Sequence, residues 1–492
     1  MTQPPPANEH PPADPSPPPS VAQEINWEDY RDHLATADKE GHRRWLFPRK
    51  PSGTWHQRRL WLSWILLAVM FAGPFITIEG NPLLMINIVE RRFSILGRIF
   101  WPQDAVLFAV AMLVFLTGII LFTTAFGRLW CGWTCPQTVL MEMVLRKIEY
   151  AIEGDAAAQR QLAESPWNRE KILKRTAKHG VFLALSFLIG NTLLAYIIGL
   201  DALVRIVTDP PSQHLTGLAF MTLFTLLFYS IFARFREQAC IFICPYGRFQ
   251  STILDENTLV VAYDHRRGEK RAHLKPSQNA AERATSGLGD CVDCRACIAV
   301  CPTGIDIRNG TQMECVNCTA CIDACDHIMD KTGRPRGLVR LSSLNNIERQ
   351  LPQRFTPRMG VYAAVLVALI GLFLFLVLTR ADTQTTILRA TGSLPQFSAQ
   401  GQVDNLFTVK ILNKTNRDIP VEFRLEQPAG TLRLMSGSPL RVPATKLAQS
   451  SPLIELDRGQ LSGHSTPVRI GVFGTSGRKL ETINTKFLGP RS

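Results

Sequence analysis

Five stretches of the chain lack any charged residue and are long enough to cross a lipid bilayer. These stretches are residues 60–78, 105–127, 180–200, 215–233 and 359–379. We expect each to form a membrane-spanning helix, with Pro74 tolerated as a kink in the first. From about residue 383 the pattern changes, because apolar and polar residues alternate in short runs separated by Gly, Pro, Asn and Asp. Such runs predict an all-β sandwich.

Two runs of four cysteines, at 291–301 and 315–325, have the spacing that is typical of bacterial ferredoxins. Together these patterns predict a multi-domain membrane protein: a five-span α-helical membrane domain, a bacterial-ferredoxin-like α+β insert and a C-terminal all-β sandwich. A short stretch between the first two spans, residues 85–101, is expected to form either a helix on the membrane surface or a plain connecting loop. The predicted segments are a disordered Pro-rich tail at 1–22, a cytosolic N-terminal segment at 23–59, a four-span domain at 60–249, a cytosolic segment at 250–358 with the ferredoxin domain at about 282–335, a fifth transmembrane helix at 359–379, and an outer domain at 383–492.

Basic residues flank the predicted spans unevenly. Residues 128–178 carry 9 Lys and Arg and residues 234–358 carry 18, whereas residues 79–104 and 201–214 carry 3 and 1. The preference of basic loops for the cytoplasmic side then predicts a cytoplasmic N-terminus and ferredoxin segment and a C-terminal domain on the outer side of the membrane. The net charge of +13 is interpreted mostly as this topology signal, and the Arg cluster at 266–271 as a contact with lipid phosphate headgroups or a partner. A nucleic-acid surface is not expected, since no basic segment is interleaved with stacking aromatics.

All twelve cysteines fall into four short runs, and two of these repeat the bacterial-ferredoxin spacing Cys-x2-Cys-x2-Cys-x3-Cys. In this spacing three thiolates wrap one iron–sulfur cube and the fourth binds the other cube. We therefore predict two [4Fe-4S] clusters. The first would be held by Cys291, Cys294, Cys297 and Cys325, and the second by Cys315, Cys318, Cys321 and Cys301.

Two other uses of these eight cysteines stay open from the spacing. Paired C-x2-C motifs also bind zinc, although the full ferredoxin pattern written twice favours clusters. Disulfide bonds are disfavoured because the segment is predicted to lie in a reducing compartment.

The remaining two cysteine runs are Cys131-x3-Cys135-Pro136 and Cys240-x3-Cys244-Pro245, and each follows a pair of predicted spans. Residues four apart share one face of a helix, so both thiols of a pair are expected to point the same way. The proline then interrupts the helix and fixes the direction of the second thiol. If the two halves pack as pseudo-symmetric repeats, the four sulfurs meet at one site.

Soft thiolates favour Cu(I), zinc or iron–sulfur centres. Beside a one-electron donor copper fits this chemistry, because thiolates stabilise Cu(I) more than Cu(II). We therefore expect copper as the metal that binds the four thiols of the CxxxCP pairs. Three alternatives stay open: packing of Cys as a small hydrophobic residue, a regulatory disulfide, and a further cluster shared by the pairs. Met141 and Met143 are interpreted as packing residues rather than copper ligands.

Several longer stretches carry a family resemblance, namely GNPLLMINIVERRFSILGRIFWPQD, CGWTCPQTV, CPYGRFQ, YDHRRGEKR and CPTGIDIRNGTQMECVNCTACIDACDHIMDKTGRPRGLVR. On these the chain resembles the CcoG/FixG/RdxA family of membrane ferredoxin-like accessory proteins of cbb3-type cytochrome oxidase. The resemblance implies a protein of the bacterial inner membrane with a periplasmic immunoglobulin-like domain at its C-terminus, and a role in assembling the oxidase. It also implies a cupric reductase, with copper as substrate or bound ion, that reduces Cu(II) to Cu(I) for the oxidase copper centre. The CxxxCP cysteines, Cys131, Cys135, Cys240 and Cys244, would be its catalytic residues.

The partners that follow from this resemblance are subunits of the oxidase or copper chaperones, together with an electron donor that the sequence does not identify. Two other functions stay open: an electron relay between quinol or a cytosolic donor and a partner protein, and a non-enzymatic scaffold for oxidase assembly.

Overall fold

The computed structural model describes residues 36, 42–87, 92–95, 97–274, 283, 285–352, 355–390, 395–397, 401–435, 437–474 and 477–489. The predicted Pro-rich tail at 1–22 lies outside these residues. So do residues 23–35 and 37–41 of the predicted N-terminal segment at 23–59. The chain forms a helical bundle with a ferredoxin-like module at one end and a β-sandwich at the other.

Five long helices form the bundle: α1 Thr54–Ala72, α2 Ala105–Phe126, α3 Arg169–Ile198, α4 Leu215–Ser230 and α5 Pro357–Leu378. The shorter helical segments are Leu129–Trp133, Pro136–Thr138, Arg146–Ile152, Ala156–Glu164, Leu200–Thr208, Pro245–Ile253, His265–Gly268, Ala296–Ala299, Ala320–Lys331 and Leu344–Arg349, with π-helical turns at Val139–Leu145, Ile231–Phe235 and Ala239–Ile243. Within the described residues, α2, α3, α4 with its π-helical extension, and α5 are long and apolar enough to cross a membrane.

The first predicted span, 60–78, is wrong in its bounds. Helix α1 begins at Thr54, includes Arg58 and Arg59, and ends at Ala72. The chain then turns through Gly73–Phe75 into a short strand, because Pro74 has no N–H to continue the helical hydrogen bonds. Pro74 therefore ends the helix instead of kinking it, and α1 is not among the four candidate spans.

The bundle core lies between α1, α3, α4 and the π-helical turn Val139–Leu145. Leu145 and Phe232 are fully buried there, and Phe182 is 1% exposed. Helices α3 and α4 pack along each other, as do α2 and α5. Outside these contacts the spans keep large apolar side chains exposed, as expected for surfaces that face lipid.

The stretch at 85–101, predicted as a surface helix or a loop, forms strands where it is described. Strands β1 Thr77–Ile78 and β2 Asn81–Pro82 pair, and β3 Leu84–Asn87, β4 Arg92–Ile95 and β5 Arg98–Phe100 make an antiparallel sheet. Burial alternates along β3, which is the period of a strand and not of a helix.

The ferredoxin-like module docks on the start of α1. Strands β6 Val260–Tyr263 and β7 Val339–Ser342 pair across the module. Asp323, on the helix Ala320–Lys331, accepts hydrogen bonds from the backbone N–H groups of Trp55 (3.1 Å) and His56 (2.7 Å). This carboxylate caps α1 from another domain, because the first N–H groups of a helix have no partner within it.

The C-terminal region forms the predicted sandwich of two antiparallel sheets. One sheet has the order β12-β15-β10-β14, with β8 and β9 also paired to β10, and the other has the order β13-β11-β16-β17. Inward residues of β10, among them Phe407 and Val409, alternate with outward ones and fill the core. The strands are β8 Thr383–Arg389, β9 Gln396–Phe397, β10 Val403–Asn413, β11 Ile419–Gln427, β12 Thr431–Leu434, β13 Leu440–Val442, β14 Leu447–Ser450, β15 Pro452–Leu456, β16 Ser465–Gly474 and β17 Lys479–Leu488.

The sandwich is tied to the start of α2 through Asp104. This carboxylate pairs with Arg380 at 2.7 Å and with Lys414 at 2.6 Å. The other end of α2 lies beside the ferredoxin-like module, where Gly127 approaches Leu259 and Asn317, so the sandwich and the module contact opposite ends of this helix.

Candidate functional site

Two cavities in the ferredoxin-like module are lined by thiols. The first has an empty volume of about 340 Å³ and the second about 350 Å³. Cys297 lines both, so the cavities are adjacent. The first cavity is lined by Cys291, Cys294, Cys297 and Cys325, and the second by Cys301, Cys315, Cys318 and Cys321 together with Cys297. The structure thus brings together each set of four thiols that the spacing predicts, and two adjacent cavities with four thiols each fit two [4Fe-4S] clusters.

The loops around the two cavities have the same backbone shape. Asp293 and Arg295 in the first loop have φ of 49° and 55°, and Asn317 and Thr319 in the second have 53° and 64°. Non-glycine residues rarely take this left-handed conformation, and Asp and Asn take it most readily. The repeated turns curl each loop around its cavity, which is what three converging thiolates require.

Burial raises the pKa of the thiols in these cavities. The pKa of Cys318 rises to about 11 and that of Cys315 to about 12, chiefly because burial disfavours the thiolate. A bound cluster requires deprotonated thiolates, so cluster binding must displace these protons. The roles of the eight thiols as cluster ligands stay predictions.

Each CxxxCP pair follows a break in a spanning helix, and the two breaks match. Helix α2 ends at Phe126, and the π-helical extension of α4 ends at Phe235. The next residues, Gly127 and Arg236, both have positive φ, 56° and 51°. For Arg236 this conformation costs of order 1–3 kcal/mol, and it persists because the surroundings hold it. The first cysteine of each pair comes four residues after this residue, so the two halves share their backbone conformation as well as their cysteine spacing.

The expectation that each pair shares one face of a helix is wrong in detail. Cys131 lies in the short helix Leu129–Trp133, whereas Cys135 caps the next helix. Cys240 lies in a π-helical turn, and Cys244 again caps the next helix. The N–H groups of Cys135 and Cys244 donate to carbonyls five residues earlier, at 3.0 and 2.9 Å. The proline at the first position of the following helix causes the break, because it fits there and not in a helix interior.

The four thiols of the pairs nevertheless lie near one another. Burial raises the pKa of Cys240 to about 12, and the thiols of Cys135, Cys131 and Cys244 are close enough to raise it further. Each of the four is partly buried. Within the described residues no group of three or more His, Cys, Asp or Glu is arranged to hold a single metal ion. The four thiols are therefore neighbours, but they must move closer together before they can bind one metal ion.

The first pair is in direct contact with the loop of the second cavity. Cys131 packs against the apolar cluster that contains Cys318 and Cys321. Gly132 is pressed onto the same loop, since a Cβ there would lie 2.3 Å from the carbonyl oxygen of Val316 and 3.0 Å from the Cα of Cys318. Only a glycine permits this approach. The spacing of the cysteines gave no sign of this contact.

A further cavity lies beside Cys240, between the second pair and the same loop. It has an empty volume of about 450 Å³. Three carboxylates reach it: Glu142 pairs with Arg146 and Glu237 with Arg43, whereas no ion pair within 4.0 Å is found for Glu314 among the described residues. The lining comprises Arg128, Gln137, Thr138, Met141, Glu142, Arg236, Glu237, Cys240, Ile241, Pro302, Thr303, Glu314 and Val316.

Two polar residues join the pairs to the module and were not singled out by the sequence. Arg128 donates from Nε to Oε1 of Gln250 at 2.8 Å and from a terminal nitrogen to the carbonyl oxygen of Met313. The same amide oxygen lies 3.5 Å from Sγ of Cys131 and accepts its hydrogen bond. Arg128 is 6% exposed and Gln250 is fully buried.

Comparison with protein families identifies three regions. Residues 235–344 match the 4Fe-4S dicluster domain, and residues 108–151 match a 4Fe-4S binding domain. Residues 373–490 match the IG-like fold at the C-terminal of FixG. The second match contains Cys131 and Cys135. The iron–sulfur domains and the immunoglobulin-like domain are thereby confirmed.

Known proteins match over most of the chain. "Nitrogen fixation protein FixG" of Rhizobium meliloti is 34% identical over 436 residues, covering 80% of this chain and 81% of its own. "Protein RdxA" of Cereibacter sphaeroides is 33% identical over 476 residues, covering 91% and 98%. A crystal structure of a FixG-related protein from Vibrio parahaemolyticus covers 22% of this chain and 97% of its own at 16% identity and a TM-score of 0.19, which is too low to support an argument. Because these two relatives are 34% and 33% identical and are matched over most of their length, the chain belongs to the FixG/RdxA family of membrane iron–sulfur redox proteins.

Proposed function

We propose that this protein reduces Cu(II) to Cu(I) at the four CxxxCP thiols, in the assembly of a cbb3-type cytochrome oxidase. The observation that carries the proposal is the contact of the first pair with a predicted cluster loop, through Cys131 and Gly132. A thiol site that touches an iron–sulfur module is arranged to receive electrons.

The chemistry at the thiols is a one-electron step in which Cu(II) gains an electron and becomes Cu(I), with no other bond made or broken. When bound, a [4Fe-4S] cluster supplies one electron at a time. Cys240 and its neighbouring thiols would bind the ion as thiolates, which favour Cu(I) over Cu(II). Their raised pKa means that a proton must leave when the metal binds, so metal binding should strengthen as the pH rises.

The cavity beside Cys240 supports a route for the ion from the module side. Glu314, for which no ion pair is found among the described residues, is the carboxylate of this lining that can bind a cation. Met141, interpreted from the sequence as packing, lines the cavity with a thioether that suits Cu(I). On the predicted topology this side is cytoplasmic. Delivery of Cu(I) to a copper chaperone or to the oxidase itself belongs to the same proposal.

The test is Cu(I) formation, read with a Cu(I)-specific chelator, in wild type and in Cys131→Ala and Cys240→Ala. Both variants should lose copper reduction and keep the iron content and optical spectrum of the clusters. A variant with intact clusters and wild-type copper reduction would refute the proposal.

A second candidate function, an electron relay, is favoured by one observation. The match of residues 108–151 to a 4Fe-4S binding domain covers the first pair, so these thiols could hold a further cluster. The relay would pass electrons between quinol and a partner protein. It requires quinol-dependent reduction of the purified protein and more than eight iron atoms per chain, whereas the copper proposal requires neither.

A further inference from the structure

The buried guanidinium of Arg128 is a charge that the proposed copper chemistry does not use. Arg128 is 6% exposed, and its hydrogen bonds go to two neutral oxygens, the amide of Gln250 and the carbonyl of Met313. Within the described residues it forms no ion pair within 4.0 Å. Glu314 lies on the lining of the same cavity beyond that distance, where burial raises its pKa and the charge of Arg128 opposes the rise. A buried cation without an anion in direct contact is unfavourable, so a closer negative charge is expected when the site is loaded.

The groups around Arg128 become anionic when the site is loaded. Arg128 donates to the carbonyl oxygen of Met313, two residues before Cys315, which lines the second cavity. It also shares the amide oxygen of Gln250 with the thiol of Cys131, in the first CxxxCP pair. The guanidinium thus stands between the second cavity and the membrane-edge thiols.

The second half of the pseudo-repeat carries the opposite charge at this position. When the two halves are aligned, Gly127 corresponds to Arg236, so Arg128 corresponds to residue 237. That residue is a glutamate, and it is paired with Arg43. Arg236, one position earlier in the second half, is paired with Glu149 and Glu237, so its charge is neutralised by carboxylates. Arg128 differs from it in having no such partner within 4.0 Å among the described residues.

We infer that Arg128 is a positioning residue that sets the redox potential of the cluster held by Cys301, Cys315, Cys318 and Cys321, by neutralising the negative charge gained on reduction. The first cluster lies beyond the second from Arg128 and should feel it little. The inference rests on the predicted cluster ligands and not on copper reduction.

The experiment is a potentiometric titration of the purified, cluster-loaded protein without copper, followed by EPR. In Arg128→Gln one of the two midpoint potentials should fall, by at least a tenfold change in the reduction equilibrium, which is 59 mV for one electron. The other midpoint should not move. The signal whose midpoint shifts should be the one that is lost in Cys318→Ser. Arg128→Lys keeps the positive charge, so its midpoints should stay close to those of wild type.

Two controls separate charge from packing. Gln250→Leu removes a hydrogen-bond partner of Arg128 and keeps its charge, so both midpoints should stay near their wild-type values. The inference is overturned if Arg128→Gln leaves both midpoints unchanged, or if Gln250→Leu lowers the same midpoint by as much. If Arg128→Gln fails to retain its clusters, Arg128→Met takes its place as the variant that removes the charge, with the same fall in one midpoint expected and an unchanged midpoint overturning the inference. Absence of copper reduction in the wild-type protein would overturn the proposed function and leave these midpoints interpretable.

Discussion

Replacing Gly132 by Ala should push the thiol pairs away from the ferredoxin-like module. The added Cβ would stand 2.3 Å from the carbonyl oxygen of Val316, where ordinary contacts begin at 3.4 Å, so the two backbones must separate by roughly 1 Å. Both surfaces are main chain and cannot rotate out of the way. Overpacking of this kind costs about 1–3 kcal/mol, which raises the population of the undocked state roughly 5- to 150-fold.

Hydrogen–deuterium exchange is the assay that reads this opening. Amides of residues 129–134 and 314–320 should lose protection by that factor in Gly132→Ala, and the yield of Cu(I) per reduced protein should fall with it. Gly371→Ala is the matched control, because a Cβ at Gly371 in α5 meets nothing within 4 Å. If Gly132→Ala exchanges and reduces copper as wild type does, the contact does not connect the two sites.

Three further changes test other parts of the structure. Asp104→Asn should loosen the sandwich by about 1–3 kcal/mol, read by exchange at 411–416, since Arg380 and Lys414 lose a partly solvated partner. Burial alone would raise the pKa of Asp104, but the hydrogen bond from Lys414 and the charge of Arg380 lower it below its ordinary 3.8. The contact is therefore stable above that pH and lost as pH falls through the lowered pKa, and acid should not loosen the Asn variant further. Asp323→Ala should lower the thermal unfolding midpoint, at a cost of about 0.5–2 kcal/mol for the lost cap, and Asp323→Asn should cost less. Cys318→Ser should halve the iron content, and unchanged iron would contradict the cluster assignment.

Much of the architecture could be predicted from the sequence. Charge-free runs and strand alternation are local patterns, so the spans α2, α4 and α5 and the sandwich appear close to the predicted positions. The end of the first span could not be predicted, because a proline inside an apolar run is compatible with a kink as well as with the end of a helix, and the chain turns here into strands. The strands within 85–101 could not be told from a surface helix, because the stretch is apolar overall and the alternation along β3 is only four residues long.

The contacts that make the candidate site could not be predicted from spacing. Gly132 matters because another domain's backbone approaches it, and a sequence does not show which of 33 glycines has such a neighbour. Arg128 belongs to a basic loop, and the sequence does not show that it is buried, because its burial depends on the docked module. The two aligned halves differ in charge here, with Arg128 in the first and Glu237 in the second, and this difference is a signal in the sequence that could single out Arg128.

The most direct test of copper reduction is an anaerobic titration of dithionite-reduced protein with Cu(II). Cluster oxidation is followed optically and Cu(I) with a specific chelator, in wild type and in a variant with Cys131, Cys135, Cys240 and Cys244 all changed to Ala. Wild type should give one Cu(I) for each electron lost from the clusters, and the variant should give none while its clusters stay reduced. Equal Cu(I) from both proteins would mean that the clusters reduce copper without these thiols, which would contradict the account.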